Sequence, residues 1–394
     1  MILTNARLIF PDGIRDGLEV VVDEGKIAAI REAKSPGNDL RGHYLAPGFI
    51  DMHVHGALGR DTMEATPDAF TAICDFHASG GTTSLLLTTV TAPMDEISRA
   101  LSVISEFGRN DPRVLGAHVE GPFISKARRG AQREEFICDP VPELVERLLT
   151  HSDVIKMVTL APELPGALEF IDRLRGRQIR VSGGHSDAWG EEARAAFEHG
   201  MRQVTHTFNC MSSTRRRGIY REPGLLEFAL SEPEILCELI ADGHHVAPTL
   251  MKMLFHAKGS AGICLVTDAT AGAGLANGER FSLGGLECLI ENGVCLLGDR
   301  SALAGSAARM IDLIRTIVRD VGAQLHEAIG MATENPARAL GNYATKGRLV
   351  PGADADLIVL SPELEVMQTF FAGREIYAKA PRESGRSRSR RQAG

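Results

Sequence analysis

Hydrophobic residues in the middle of the chain fall into eight short segments, each ending in polar residues or glycine. The segments are rich in aliphatic and β-branched residues, and the stretches between them show the 3.6-residue periodicity of helices that face a core. Eight strand–helix units within about 220 residues are typical of a TIM-type α/β fold, a (β/α)8 barrel, whose catalytic groups lie at the carboxyl ends of the strands. The predicted strands are residues 49–53, 83–88, 114–120, 154–160, 179–183, 203–206, 235–241 and 263–268.

The two ends of the chain follow a different pattern. Residues 1–46 and 347–378 alternate in short strand-like runs separated by turns. We therefore predict a small, discontinuous β-sandwich domain formed by both chain termini, with the barrel over residues 47–346. Residues 379–394 are rich in Arg and Ser and predict a disordered tail, with a polyanion-binding tail as the alternative.

Candidate metal ligands stand at the ends of several predicted strands. Residues two apart on a strand point to the same face, so both imidazoles of the His-x-His pair that ends the first strand can reach one ion. An isolated His-x-His pair usually indicates two surface histidines. The further candidate ligands at other strand ends favour a metal site instead. The candidates are His53 and His55 on strand one, Glu120 on strand three, His185 on strand five, His206 on strand six and Asp268 on strand eight.

This mixture of imidazoles and carboxylates suits zinc, iron or manganese. Such an ion lowers the pKa of bound water and polarises a carbonyl, so hydrolysis of an amide or ester is the expected chemistry. Asp268 can take a proton from the water and return it to the leaving nitrogen; a helix N-cap is its alternative role. His118 lies two residues before Glu120 on the same face, and spacing alone does not decide which of the two binds metal.

Composition narrows the class of protein. The seven cysteines among 394 residues are odd in number and scattered, without a C-x-x-C pair, so neither a disulfide framework nor a zinc knuckle is indicated and a cytoplasmic location is expected. No secretory leader or run of about 18 apolar residues is visible, which argues against a membrane protein. The net charge of −8 argues against nucleic acid as a partner and leaves a small molecule as the expected ligand.

A set of short motifs resembles the N-acetylglucosamine-6-phosphate deacetylases of the amidohydrolase superfamily, in the same order along the chain. Each motif is weak alone, whereas the set is specific and extends from residue 1 to about 378. The motifs are PGFIDMHVHG at 47–56, HVEGP at 118–122, SGGHS at 182–186, THTFN at 205–209, REPG at 221–224, ADGHH at 241–245, TDA at 267–269, LAGS at 303–306, NPAR at 335–338 and GADADL at 352–357.

The resemblance assigns roles to the candidate ligands. It implies that Glu120, His185 and His206 hold one divalent ion and that His53 and His55 hold a second, with Glu120 as a bridge. It also implies that Asp268, beside the ions, is the general acid and base. Some relatives lack the first histidine pair and use one ion; because both are present here, we expect two ions per subunit, with zinc or iron as the expected metal.

The resemblance further implies a phosphate site shared across a homodimer interface. Arg221 and His245 would meet the substrate phosphate, with backbone amides near Asn209 and Cys210. A guanidinium suits this task because its planar fork matches phosphate oxygens. The alternatives are a surface salt bridge for Arg221 and, for His245, that its neighbour His244 takes the role.

Two departures from the family pattern concern the substrate. Where relatives usually carry a histidine that hydrogen-bonds the reacting carbonyl, this chain has Gln132, which can donate a hydrogen bond but cannot carry charge. The segment 209–221 is about four residues longer than in relatives and contains Arg215, Arg216 and Arg217, which indicate either a more anionic substrate or a solvated loop.

The expected reaction is therefore hydrolysis of the N-acetyl group of N-acetylglucosamine-6-phosphate to glucosamine-6-phosphate and acetate. The alternative is a deacetylase of another N-acyl amino sugar, such as N-acetylgalactosamine-6-phosphate or a non-phosphorylated sugar. A cyclic-amide hydrolase of the dihydroorotase type is disfavoured, because such enzymes commonly bridge their metals with a modified lysine on strand four. A barrel that has lost catalysis and serves as a scaffold would not need the full ligand set.

Overall fold

The computed structural model describes residues 1–34 and 36–380, and it begins with strands that belong to a terminal domain. These strands alternate buried and exposed residues, as strands that face a core on one side do. They are β1 (Ile2–Phe10), β2 (Gly13–Asp23), β3 (Lys26–Glu32), β4 (Asn38–Asp39) and β5 (Tyr44–Pro47).

The predicted barrel is confirmed. Eight parallel strands are hydrogen bonded in the order β6-β9-β10-β11-β12-β13-β16-β17, and a bridge between Val54 and Ala269 joins the last strand to the first. The strands of this part of the chain are β6 (Phe49–Val54), the short pair β7 (Gly56–Ala57) and β8 (Arg60–Asp61), β9 (Thr82–Thr89), β10 (Val114–Glu120), β11 (Ile155–Leu160), β12 (Arg180–Gly183), β13 (Gln203–Val204), the hairpin β14 (Arg215–Arg217) and β15 (Tyr220–Glu222), β16 (Leu236–Leu239) and β17 (Ile263–Leu265).

Helices pack around the barrel. In the longest, Ile97, Leu101 and Ile104 are buried, a spacing of four and three residues that places them on one face toward the strands. The helices are α1 (Pro67–Ala78), α2 (Met94–Asn110), α3 (Pro142–Leu149), α4 (Ala167–Arg175), α5 (Gly190–His199), α6 (Leu225–Ser231), α7 (Pro248–Lys258), α8 (Met310–Thr316), α9 (Leu325–Met331) and α10 (Glu334–Ala339). Within the described residues, no helix is both long enough and apolar enough to cross a membrane.

An antiparallel meander follows β17 and was not predicted from the sequence. It consists of β18 (Arg280–Leu283), β19 (Leu286–Glu291) and β20 (Val294–Leu297). Phe281 and Leu283 alternate with exposed residues and pack into an apolar cluster with Val90, and Leu283 also reaches the cavity described below. The alternation and the turns at 284–285 and 292–293 were the available signals.

The last strands return to the terminal domain. They are β21 (Leu357–Leu360), β22 (Val366–Phe371) and β23 (Arg374–Ala378). β5 pairs with both β1 and β21, so the two ends of the chain form one sheet of eight strands, in the order β23-β22-β21-β5-β1-β2-β3 with β4 on β1. At the start of the predicted tail, the Lys379 amide donates to Met367 at 2.9 Å; residues 381–394 lie outside the described residues.

Candidate functional site

The candidate ligands converge at the carboxyl ends of the barrel strands. His53 and Glu120 lie on β6 and β10, and His185 lies two residues beyond β12, which ends at Gly183 as predicted. His206 and Asp268 lie just beyond β13 and β17, which end earlier than predicted. The backbone φ angles of His185, His206 and Asp268 are +46°, +30° and +49°, a region that non-glycine residues rarely adopt. Such strained positions concentrate at functional sites because the surrounding structure must hold them.

Two triads of ligand atoms share one carboxylate. His53, His55 and Glu120 form the first triad, and Glu120, His185 and His206 form the second; within each, the ligand atoms lie within 4.8 Å of one another. All five side chains are buried. Glu120 belongs to both triads, so it stands where a bridging carboxylate would be needed.

The protonation of the imidazoles fits a cation. Each Nδ1 atom lies 2.9–3.2 Å from an oxygen that can only accept, so each Nδ1 carries the proton. The Nε2 atoms therefore present lone pairs, and they face each other at 3.1 Å in both His53–His55 and His185–His206. Two facing lone pairs at this distance need a cation between them, either a shared proton or a metal ion bound by both nitrogens. The donor set thus fits a divalent metal in each triad.

The oxygens that hold these imidazoles come from several parts of the barrel. They are Glu238 Oε2 for His53, the Thr88 carbonyl for His55, the Arg128 carbonyl for His185 and the Asn209 carbonyl for His206. The sequence reasoning missed Glu238, whose signal was an acidic residue within the apolar run of β16. It also missed Asp51, which accepts from Thr267 Oγ1 at 2.6 Å; burial raises the pKa of Asp51 to about 7.

Asp268 faces the first triad. Its Oδ1 lies 3.3 Å from His53 Nε2 and 3.2 Å from His55 Nε2. Burial by itself raises the pKa of Asp268, but positive charge on the adjacent imidazoles outweighs burial and lowers that pKa. A metal ion held by the same imidazoles would lower it in the same direction. Its side chain keeps 12% exposure and lines the cavity, so it is open to a bound molecule.

His118 lies outside both triads. Its Nε2 is 2.7 Å from Thr159 Oγ1, within a group of buried hydroxyls, and burial lowers its pKa well below the usual value. The neutral imidazole is therefore engaged beneath the site, and Glu120 is the member of this pair that faces the triads.

Gln132 is held on both sides. Its Nε2 donates to Glu120 Oε2 at 2.7 Å, and its Oε1 accepts from the Thr91 amide at 2.8 Å. The amide of Thr91 fixes which end of the carboxamide faces Glu120. One N–H of Gln132 is thus used on the shared carboxylate, a contact that sequence reasoning did not foresee.

A cavity of about 210 Å³ opens above the triads. Most of the predicted site residues line it, including Gln132, His245, Asn209 and Cys210; His53 is fully buried behind it. His245 Nδ1 lies 2.8 Å from Asp242 Oδ2. Burial lowers the pKa of His245, but the hydrogen bond and charge of Asp242 outweigh it and raise that pKa above its usual value, so the imidazole favours an anion.

Arg221 is the predicted site residue that the structure places elsewhere. It lies exposed on β15 and is not part of the cavity wall. The hairpin that carries it is fixed to the barrel by Arg215 and Arg217, whose guanidinium carbons lie 3.7 and 4.0 Å from the centre of the Trp189 ring. Arg221 is therefore held on an exposed hairpin and does not line the cavity above the triads of its own chain.

Comparison with known proteins identifies the family. The model of the amidohydrolase family matches residues 44–376. The N-acetylglucosamine-6-phosphate deacetylase of Lysinibacillus sphaericus is 35% identical over 386 residues, covering 95% of this chain and 97% of that protein. The chain belongs to the N-acetylglucosamine-6-phosphate deacetylase family of amidohydrolases.

Two further relatives show how close the likeness is. The N-acetylgalactosamine-6-phosphate deacetylase of Escherichia coli O157:H7 is 35% identical over 376 residues, covering 94% of this chain and 98% of that protein. The crystal structure of the N-acetylglucosamine-6-phosphate deacetylase from Pasteurella multocida superposes with a TM-score of 0.90 at 32% identity, covering 96% of this chain and 99% of that one. The resemblance inferred from the motifs is confirmed, and the chain is a hydrolase of carbon–nitrogen bonds.

Proposed function

We propose that this protein hydrolyses the N-acetyl group of N-acetylglucosamine-6-phosphate and releases glucosamine-6-phosphate and acetate. The observation that carries the proposal is the pair of histidine triads that share Glu120, with Asp268 beside them at the cavity. The activity named for the relatives supports the choice of substrate.

Two divalent ions, zinc or iron, fit the triads. His53, His55 and Glu120 would hold one ion, and Glu120, His185 and His206 the other; Asp268 is a further candidate ligand beside the first. When bound, the ions would supply an activated water and would polarise the acetyl carbonyl.

Asp268 moves the proton. An aspartate carboxylate is ionised at neutral pH, so Asp268 can accept a proton from water. It then returns that proton to the nitrogen of the departing amine. Its position at the cavity wall lets one carboxylate reach both atoms in turn.

Gln132 supports the reaction through Glu120 and the substrate carbonyl. One N–H holds the shared carboxylate, which leaves the second N–H of the same group for the acetyl oxygen. A neutral amide stabilises developing negative charge less than a cation does, so the ions carry more of this task.

His245 and Arg221 are the proposed phosphate ligands, with the backbone amides near Asn209 and Cys210. Because Arg221 lies on an exposed hairpin away from its own cavity, it would serve the cavity of a second subunit. Ile219 and Tyr220 beside it are 84% and 67% exposed, which supports burial of this hairpin in a homodimer. We expect this dimer in the cytoplasm.

The test is acetate release by the metal-loaded enzyme from three sugars: N-acetylglucosamine-6-phosphate, its galactosamine epimer and non-phosphorylated N-acetylglucosamine. We expect the first to react fastest. Asp268→Asn should lower kcat by about 10²–10⁴-fold, whereas Asp68→Asn, the same change at an exposed position on α1, should leave it unaltered.

Two results would contradict the proposal. Faster turnover of the galactosamine epimer would assign the protein to the other activity found among its relatives. No acetate from any of the three sugars, with metal shown to be bound, would mean that the site acts on a different acyl group.

A further inference from the structure

A second cleft lies at the opposite end of the barrel from the metal triads. It has a volume of about 770 Å³ and is formed by the amino-terminal ends of β10 to β12, the approach to β13, and the ends of α4 and α10. This volume lies within the range of sites for small molecules. We call it the lower cleft and define it by its six cationic residues, Lys156, Arg175, Arg177, Arg180, Arg202 and Arg338.

The lower cleft is strongly basic although the protein is acidic. Asp153 is the single carboxylate among the lining residues, against the six cations, while the whole chain carries a net charge of −8. A concave surface lined by one sign of charge concentrates the electrostatic potential and attracts ions of the opposite sign. The cleft is therefore suited to an anion.

Three of the cations are balanced from outside the cleft. Asp172 pairs with Arg175 at 3.0 Å, Glu334 with Arg338 at 2.6 Å, and Glu234 more loosely with Arg202 at 3.8 Å. These carboxylates belong to the surrounding surface and do not line the cleft itself.

The other three cations bond only to uncharged oxygens among the described residues. Lys156 Nζ donates to the Asp153 carbonyl at 2.9 Å, and Arg177 Nη1 donates to the Arg173 carbonyl at 3.2 Å. Arg180 donates to the Gln203 side chain and to a backbone carbonyl, through Nε and Nη2. Each of these groups keeps further N–H donors for a ligand.

Arg180 is the most constrained of the three. It is partly buried, and burial lowers its pKa to about 10, which still leaves the guanidinium charged at neutral pH. Its link to a carboxylate is indirect: Arg180 Nε donates to Gln203 Oε1 at 3.1 Å, and Gln203 Nε2 donates to Glu238 Oε1 at 2.6 Å. A partly buried charge without a direct counterion is costly, and an anion in the cleft would offset that cost.

We propose that the lower cleft is a second ligand site, which binds a phosphate-bearing small molecule through Arg180, Arg177 and Lys156. Guanidinium forks match phosphate oxygens in two-point hydrogen bonds, and a lysine adds a point charge. The site lies at the opposite ends of the strands from the triads, so its ligand does not compete with the hydrolysed substrate.

The test is calorimetric titration of the metal-loaded enzyme with inorganic phosphate, glucose-6-phosphate and adenosine monophosphate. The three probes distinguish a bare phosphate from a sugar phosphate and a nucleotide. The double variant Lys156→Gln/Arg177→Gln should weaken binding of the preferred probe at least tenfold, and so should Arg180→Gln. Arg109→Gln, which removes an exposed arginine from the end of α2, is the matched control and should bind as the wild type does.

Equal affinity of the wild type and the double variant for all three probes would overturn the proposal, because binding would then belong to the catalytic cavity. Absence of binding by the wild type at millimolar concentrations would overturn it as well. The double variant replaces exposed residues, so it remains informative even where Arg180→Gln fails to fold. None of these titrations uses the hydrolysed substrate, so their outcome is independent of the proposed deacetylation.

Discussion

Glu120 is the residue on which the candidate site depends most. Its carboxylate lies 3.2–3.5 Å from the Nε2 atoms of four histidines and accepts a hydrogen bond from Gln132. A buried carboxylate with this many partners keeps its position only while each partner stays in place. Gln132, which differs from the family pattern, therefore bonds directly to Glu120, the carboxylate shared by the two triads.

Replacement of Gln132 by methionine should loosen the bound metal. The variant keeps the volume of the side chain but removes the donor to Glu120 Oε2 and leaves the Thr91 amide without its acceptor. Loss of such an outer hydrogen bond costs about 10–100-fold in metal affinity. Metal content after dialysis against graded chelator measures the loss. Gln324→Met, at an exposed position before α9, should retain wild-type metal content; equal retention by the Gln132 variant would contradict the role.

His77 should make stability depend on pH. It is fully buried, and burial lowers its pKa to about 4, with one weak contact to the Gly56 carbonyl at 3.5 Å. The folded pKa lies below the unfolded value of about 6.5, so the unfolded chain binds the proton more tightly. The contribution of His77 to stability is therefore complete above pH 6.5 and declines as the pH falls toward 4.

Because the unfolded chain takes up a proton at His77, we expect the free energy of unfolding to fall by about 1 kcal/mol between pH 7.5 and pH 5.5. Urea unfolding of the metal-loaded enzyme at the two pH values measures it, and the histidines of the triads contribute equally to wild type and variant. In His77→Phe, the change in the free energy of unfolding between the two pH values should be smaller by about 1 kcal/mol. His256→Phe, at an exposed position on α7, should behave as the wild type; an unchanged slope in the His77 variant would exclude the explanation.

At the scale of elements, the alternation of side chains along a strand places the arginines of the β14–β15 hairpin on two opposite faces. Arg215 and Arg217 point to one side, where they stack on Trp189 and pair with Asp187 and Glu191 at 2.6 Å. Arg216, between them, is exposed and lies opposite Arg221 in the strand register. The loop therefore has an anchored face and a free, cationic face.

Trp189→Leu should release the hairpin without disturbing the triads. The two stacked guanidinium groups contribute about 0.5–1 kcal/mol each. If Arg221 meets the phosphate of the substrate, KM for the phosphorylated sugar should rise roughly 3–10-fold with kcat unchanged, because binding of a remote group is lost. Hydrogen exchange of residues 214–222 should increase. Tyr44→Leu, which removes the ring on which Arg7 stacks in the terminal domain, should alter neither KM nor the hydrogen exchange of residues 214–222.

At the scale of the whole molecule, strand β21 packs one face against the core of the terminal sheet and the other against the core of the barrel. Along β21, Leu357 and Val359 pack into the core of the terminal domain, whereas Ile358 and Leu360 pack into the core of the barrel. The period of two along a strand puts successive side chains on opposite faces, so one strand serves both cores. The two domains are therefore expected to unfold together.

Leu357→Ala and Ile358→Ala should each lower the free energy of unfolding by about 2–5 kcal/mol in one common transition. Fluorescence of Trp189, the single tryptophan, follows the barrel, and circular dichroism follows the whole chain. The two signals should coincide in both variants. Leu250→Ala, at a partly exposed site on α7, should change stability by less than about 0.5 kcal/mol. A separate early transition in the Leu357 variant would show that the terminal domain unfolds alone.

The sequence by itself determined the barrel and the identity of the candidate ligands. The eight apolar segments recur at the period of strand–helix units, and parallel strands bring their carboxyl ends to one face, so residues far apart in the chain could be placed together without coordinates. The meander of β18 to β20 was missed although its alternation and turns were visible, because three strands of four to six residues joined without helices do not fit the strand–helix period that located the barrel strands.

Only the tertiary structure decided how these residues are used. The choice between Glu120 and His118 as ligand depends on which side chain meets hydroxyl partners from neighbouring strands. The hydrogen bond from Gln132 to Glu120 depends on the Thr91 amide, 41 residues away, which fixes the orientation of the carboxamide. The lower cleft arises where six cations from separate segments meet around one concavity. Local pattern fixes the face on which a side chain lies, whereas its partners come from contacts across the sequence that no periodicity encodes.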